Sequence, residues 1–183
     1  MQYLNLPLAN LFPKQLKILT TTFIKNTYKN NNMTKIIACS NLIEKDGKFL
    51  LVKETKKMAK GSYNFPSGTL EDNESLIDCA IREAKEESGL TVKPVSIVKL
   101  FHNPKSARGN SVLIVVFNSK TISGELTTSK EHPEVKFASL EEIKELNKNN
   151  LIRHGEYMLD AIDNYLNNKS IDLDFLGGFI YKS

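Results

Sequence analysis

The chain has 183 residues, 40% of them hydrophobic and 25% charged, the make-up of a soluble globular protein with room for one core. No apolar run approaches the roughly 18 residues that a membrane-spanning helix needs, and Cys39 and Cys79 have neither CxxC nor ligand-like spacing, so they read as small buried hydrophobes. The net charge of +4 is confined to one end: residues 1–32 carry Lys14, Lys17, Lys25 and Lys29 and no acid, and removing these four from the 25 basic residues leaves 21 against 21 acidic ones. The remainder is neutral on balance, which speaks against a broad nucleic-acid surface.

In chain order, residues 1–32 come first, with apolar residues, scattered lysines and six asparagines. They are expected to be a disordered tail, or to lie upstream of a true start at Met33. An acid-poor organelle presequence is the alternative, although the stretch lacks arginine and Pro7 and Pro13 interrupt its helical pattern. The expected location is accordingly cytoplasmic, or an organelle if residues 1–32 are a presequence. KIIACSNLI and KFLLVKE read as two strands joined by a tight turn, with Asp46-Gly47 supplying the positive-φ positions. A basic loop follows, Thr55 to Lys60, and then a short extended segment, Gly61 to Pro66. A glycine loop at Gly68 leads into a helix starting at Ser75 and closed by Gly89 in a left-handed cap position.

Beyond that helix, Val92–Phe101 and Ser111–Phe117 read as strands around a flexible basic loop, and Lys120–Leu126 as one more short strand. Ser139-Leu140-Glu141-Glu142 has the spacing of a capping box opening a helix to about Leu146. Asn150–Leu166 has helical periodicity, and residues 169–183 form a tail. Residues 33–168 thus make one domain, α+β or α/β by its mixed elements.

Gly68 to Leu90 carries the chemistry. Its spacing is G-x5-E-x7-R-E-A-x-E-E-x-G-L, through Gly68, Glu74, Arg82, Glu83, Ala84, Glu86, Glu87, Gly89 and Leu90. Each helical residue turns the chain by about 100°. Leu76, Ile77, Ala80, Ile81 and Ala84 then define an apolar stripe, with Glu83 and Glu87 on its margin, Glu86 beside them, and Asp78 and Lys85 on the solvated side. Three carboxylates within ~6 Å of one another repel unless a cation sits among them. Hard divalent ions take oxygen ligands, and Mg²⁺ pairs a few carboxylates with substrate phosphates.

These nine positions resemble the signature box of the Nudix hydrolases, and every specified residue is met. Asn64-Phe65-Pro66-Ser67-Gly68 is similar to the family's lead-in, with Ser67 where a second glycine is common. Val135 to Glu142 resembles its late strand and short helix, so the likeness covers about Lys35 to Leu166. The resemblance implies a single-domain α/β/α sandwich around a mixed β-sheet. It also implies Mg²⁺- or Mn²⁺-dependent hydrolysis of a pyrophosphate bond in a nucleoside diphosphate derivative or nucleoside di- or triphosphate. By the same resemblance Glu83, Glu86 and Glu87 would bind metal, with the Ser67 carbonyl, while Arg82 and Glu74 hold loop and helix in register. A later-loop acid serves as base in some members, and Glu131 is the candidate here, with Glu134 second.

Substrate contacts outside the box are expected among Lys56, Lys57, Tyr63, Phe65 and Arg108, and the partner is a small nucleotide or pyrophosphate, with no membrane. A homodimer is an open alternative to a monomer. His102, His132 and His154 lack ligand spacing and read as surface or loop histidines. A non-catalytic nucleotide-sensing module and an RNA 5′ pyrophosphohydrolase are the alternative functions.

Overall fold

Asp46 and Gly47 both take positive φ, 53° and 73°, the backbone of a two-residue hairpin turn. The computed structural model describes residues 34–55, 61–106 and 109–177. The turn joins β2 (Glu44–Lys45) to β3 (Lys48–Lys53). The sequence reading made KIIACSNLI the partner of KFLLVKE across this turn, and the structure corrects that. β1 (Lys35–Leu42) pairs in parallel along its whole length with β7 (Ser111–Ser123), in another sheet. Its inner half is buried, as suits a central strand covered on both faces. Only Glu44 and Lys45 remain for the hairpin.

The first sheet runs β5–β1–β7–β6–β9, with β5 (Ser67–Thr69), β6 (Thr91–Asn103) and β9 (Ile171–Asp172) antiparallel to their neighbours. β7 extends without a break through Lys120–Ser123, which the sequence reading made a separate strand. In the second sheet β3 is central. β8 (Val135–Ser139) lies along one side of it, and β2 and β4 (Tyr63–Asn64) share the other.

Period-two alternation sends side chains to both faces of the first sheet. Ile97, Val115 and Phe117 pack with Cys79 and Ala80 of α1 (Leu76–Ser88). Val98 and Val116 pack with Met158, Ala161 and Ile162 of α3 (Gly155–Leu166). Helices therefore cover both faces of a mixed sheet, and residues from Thr34 onward form one compact unit of α/β class.

Local chemistry sets the helix ends. Ser139 caps α2 (Leu140–Lys148), its hydroxyl accepting from the Glu142 N–H at 3.1 Å. α3 begins at Gly155 rather than Asn150. Asn150 and His154 take positive φ, and between them the chain docks on β4: the Tyr63 N–H donates to the Leu151 carbonyl at 2.7 Å and the Arg153 N–H to the Tyr63 carbonyl at 2.8 Å. Residues 169–183 are a tail by sequence, and their described part adds β9 to the edge of the first sheet. Leu173 and Leu176 then pack against the α1 side of the core.

Candidate active site

The glutamate helix is fixed at both ends. Ser75 caps α1 by accepting from the Asp78 N–H at 3.0 Å. Gly89 closes it at φ 80°, and a Cβ there would meet the Glu125 carbonyl and the Thr127 hydroxyl at 2.5 Å each. Glycine is required by the backbone and by the neighbours alike. Gly68 is constrained from the other side, since a Cβ on it would overlap the Glu83 carboxylate. The loop backbone thus lies directly against that carboxylate.

Projection of the apolar stripe onto α1 agrees with the burial. Glu83 and Glu87 are 8% and 7% exposed, while the Glu86 side chain is 58% exposed. Arg82 organises the acids around it. Its Nε and Nη2 donate to the two Glu74 oxygens at 2.7 and 2.9 Å, Nη2 also reaches the Thr69 carbonyl at 3.1 Å, and Nη1 reaches Glu83 at 2.6 Å and Glu86 at 3.4 Å. The bidentate bond to Arg82 holds the Glu74 carboxyl down at about 2, against the burial that opposes it. Burial pushes the Glu83 carboxyl up; Arg82 opposes this, and the neighbouring Glu87 and Glu86 charges add to it.

Glu87 is held by groups from two loops. The Ser67 N–H donates to its Oε2 at 2.8 Å, and His132 Nε2 lies 3.1 Å from its Oε1. Behind Ser67, the buried Asn41 joins β1 to α1: its amide donates to the Ala80 carbonyl at 2.9 Å and its carbonyl accepts from the Ser119 hydroxyl at 2.8 Å.

These groups line a cavity of about 670 Å³ formed by Ser67–Glu71, Arg82, Glu83, Glu86, Glu87 and the loop Ser129–His132. Glu131 is therefore on the same cleft as the three box glutamates. Its loop is pinned to the end of β3: the Thr55 N–H and hydroxyl donate to the Glu131 carbonyl at 3.2 and 2.9 Å. Glu134 is outside the cleft, in an ion pair with Lys53 at 3.1 Å.

Of the substrate contacts expected outside the box, Tyr63 and Phe65 are among the described residues. Phe65 is wholly buried in the core, so its ring packs and cannot stack a base. Tyr63 is buried too, under Lys53 and Lys136, whose ammonium groups lie 5.3 and 4.8 Å from its ring centre. Neither lines the cleft. Lys56, Lys57 and Arg108 lie outside the described residues.

His132 requires a correction. It is 4% exposed and touches Glu87, whereas His102 and His154 are exposed. Sequence reasoning also passed over Glu54, which is 3% exposed, with one oxygen 3.6 Å from Arg153. A signal for Glu54 was available. It continues the alternation of Leu50 and Val52, and Leu50 packs with Ala84 of α1, so Glu54 is an acid on a buried strand face. Nothing comparable marks His132, whose position depends on the loop's tether to β3.

No helix among the described residues is long and apolar enough to cross a membrane. A family model described as NUDIX domain matches residues 33–160. The ADP-ribose pyrophosphatase of Methanocaldococcus jannaschii is 33% identical over 110 residues, 60% of this chain and 65% of that protein. Human 8-oxo-dGDP phosphatase NUDT18 is 33% identical over 100 residues, 55% of this chain and 29% of that protein. The chain thus spans less than two thirds of the length of either relative. A NUDIX hydrolase structure from Nitrosomonas europaea superposes with a TM-score of 0.71 at 26% identity, covering 80% of this chain and 98% of that one. With the domain model matched across most of the chain and the same architecture in a solved relative, this chain belongs to the NUDIX family.

Proposed function

We propose that the chain hydrolyses a pyrophosphate bond in a nucleoside diphosphate derivative or a nucleoside di- or triphosphate, with Mg²⁺ or Mn²⁺ bound at the box glutamates. The observation that carries this reading is the shared cleft: Glu83, Glu86, Glu87 and Glu131 face one cavity large enough for a nucleotide. The residues fit a hard divalent ion. Several carboxylates converge with Arg82 among them, and Arg82 is already committed to both oxygens of Glu74. Glu86, Glu87 and Glu83 would hold the ion, with the Ser67 backbone at the edge of the group. Bound there, it neutralises phosphate oxygens and lowers the pKa of the attacking water.

The chain's own groups do the rest. Arg82 and the Gly68 loop hold the helix carboxylates in place. A carboxylate, Glu83 on the helix or Glu131 on the opposite loop, accepts the proton of a water whose oxygen attacks phosphorus. The bond from that phosphorus to the bridging oxygen breaks, and the second phosphate group leaves with the electron pair. Lys130 faces the cavity beside Glu131 and is placed to meet the outgoing charge. The neutral balance of residues 33–183 favours a free nucleotide over a long nucleic acid. The names of the two curated relatives put ADP-ribose and oxidised purine nucleotides first among substrates to try.

The test is a panel of ADP-ribose, other nucleotide sugars, dinucleotide polyphosphates, nucleoside di- and triphosphates and 5′-triphosphorylated RNA, with Mg²⁺ and Mn²⁺, read by product identity. The expected result is metal-dependent release of a nucleoside monophosphate or a phosphate product from a free nucleotide. Tight nucleotide binding with no product from any member would overturn it.

A further inference from the structure

At the inner wall of the cleft, which Glu87 and His132 line, three residues meet that the pyrophosphohydrolase reading does not need together. Glu54, Glu87 and His132 are each more than nine-tenths buried, and one donor atom from each lies within 4.8 Å of the others. They come from three separate segments: the end of β3, the last turn of α1 and the β7–β8 loop. The loop is tied to β3 through Thr55, and His132 is fixed on it by its N–H donating to the Ser129 hydroxyl at 3.0 Å and its carbonyl accepting from the Ser129 N–H at 2.9 Å.

Glu54 points to what the cluster holds. One carboxylate oxygen lies 3.6 Å from Arg153, itself 41% exposed, while Oε2 is buried and accepts no hydrogen bond among the described residues. A buried carboxylate oxygen with no donor bears the full cost of losing its water. Glu87, a second buried carboxylate, adds repulsion. A cation among the three donors would satisfy both acids at once. About 2.0–2.2 Å from each donor, it would draw them to within ~4.4 Å of one another, a shift that side-chain rotation supplies.

We propose that Glu54, Glu87 and His132 bind a divalent first-row transition-metal ion, in the range Mn²⁺ to Zn²⁺, through two carboxylates and one imidazole. The donor set decides the ion. Mg²⁺ takes oxygen ligands and keeps several waters, which a buried pocket with an imidazole does not favour. Imidazole nitrogen with carboxylate oxygen suits manganese and the metals after it, with affinity rising along the series. This site shares Glu87 with the proposed Mg²⁺ position, and in that respect it rests on the pyrophosphohydrolase reading.

The test uses the full, untagged chain, stripped of metal and loaded with half an equivalent of Mn²⁺ in the absence of substrate. Pulsed electron paramagnetic resonance should show coupling of the manganese to an imidazole nitrogen, and His132→Asn should remove it. Glu54→Gln should weaken Mn²⁺ binding by at least the roughly 10–100-fold that losing an outer-shell partner brings, while leaving Mg²⁺ binding nearly unchanged. No nitrogen coupling in the wild-type chain would overturn the proposal, whether or not the variants fold, and would leave the 3.1 Å approach of His132 to Glu87 as a hydrogen bond only. Coupling that persists in His132→Asn, or undiminished Mn²⁺ binding in Glu54→Gln, would overturn it as well. Because no substrate is present, an inactive chain can pass this test and an active one can fail it.

Discussion

Arg82 gathers more of the site than any single glutamate does. One guanidinium serves both oxygens of Glu74, the Thr69 carbonyl, Glu83 and Glu86, so loop and helix carboxylates share a single anchor. Its planar fork matches a carboxylate in a way that lysine cannot. Glu74 has the consequence that is easiest to measure. Its folded carboxyl sits at about 2 against an ordinary value of 4.5. A depressed carboxyl adds stability that is complete above the unfolded value and is lost as pH falls toward the folded one. At pH 7, Glu74→Gln is expected to cost about 1–3 kcal/mol in denaturant unfolding, since it leaves a mostly buried guanidinium short of its partner. The gap to the wild-type chain should close between about pH 5 and pH 2. A gap independent of pH would show that the Glu74 charge does not hold the loop.

At the scale of elements, the site is one loop pressed against one helix, and Gly68 is where they meet. Gly68→Ala would force the Glu83 carboxylate aside while leaving the caps of α1 untouched. A displacement near 1 Å at a catalytic group costs roughly 100-fold in rate. Turnover on the best panel substrate is therefore expected to fall by about that factor with the far-ultraviolet dichroism unchanged; unchanged turnover would remove Glu83 from the chemistry. Local signals for these elements were legible because each depends on neighbours in sequence. Ser75 and Gly89 bound α1, Ser139 opens α2, and the 100° projection separates buried Glu83 and Glu87 from exposed Glu86. What depends on distant partners was not legible. β1 left its hairpin for β7, seventy-six residues away at Lys35–Ser111, and residues 151–153 gave up helix to pair with Tyr63. His132 is buried on a loop that Thr55, seventy-six residues before Glu131, ties to the end of β3.

Across the whole molecule, the mixed sheet holds these pieces in place. β1 and β7 carry apolar side chains to both faces, so α1 and α3 are fixed on opposite sides, and the cleft opens where β5, α1 and the β7–β8 loop converge. On the proposed function this cleft performs metal-dependent hydrolysis through its box glutamates, and Glu86 tests that proposal most cleanly. Its side chain is 58% exposed and its tie to Arg82 is a long 3.4 Å contact, so Glu86→Gln removes a charge with little effect on the fold. The decisive measurement is the turnover number of Glu86→Gln against the wild-type chain, on the best panel substrate at saturating Mg²⁺, with the melting temperature recorded alongside. A loss of about 100-fold or more at an unchanged melting temperature is predicted, on the scale of removing one transition-state electrostatic contact. Turnover within a few-fold of wild type would contradict the account.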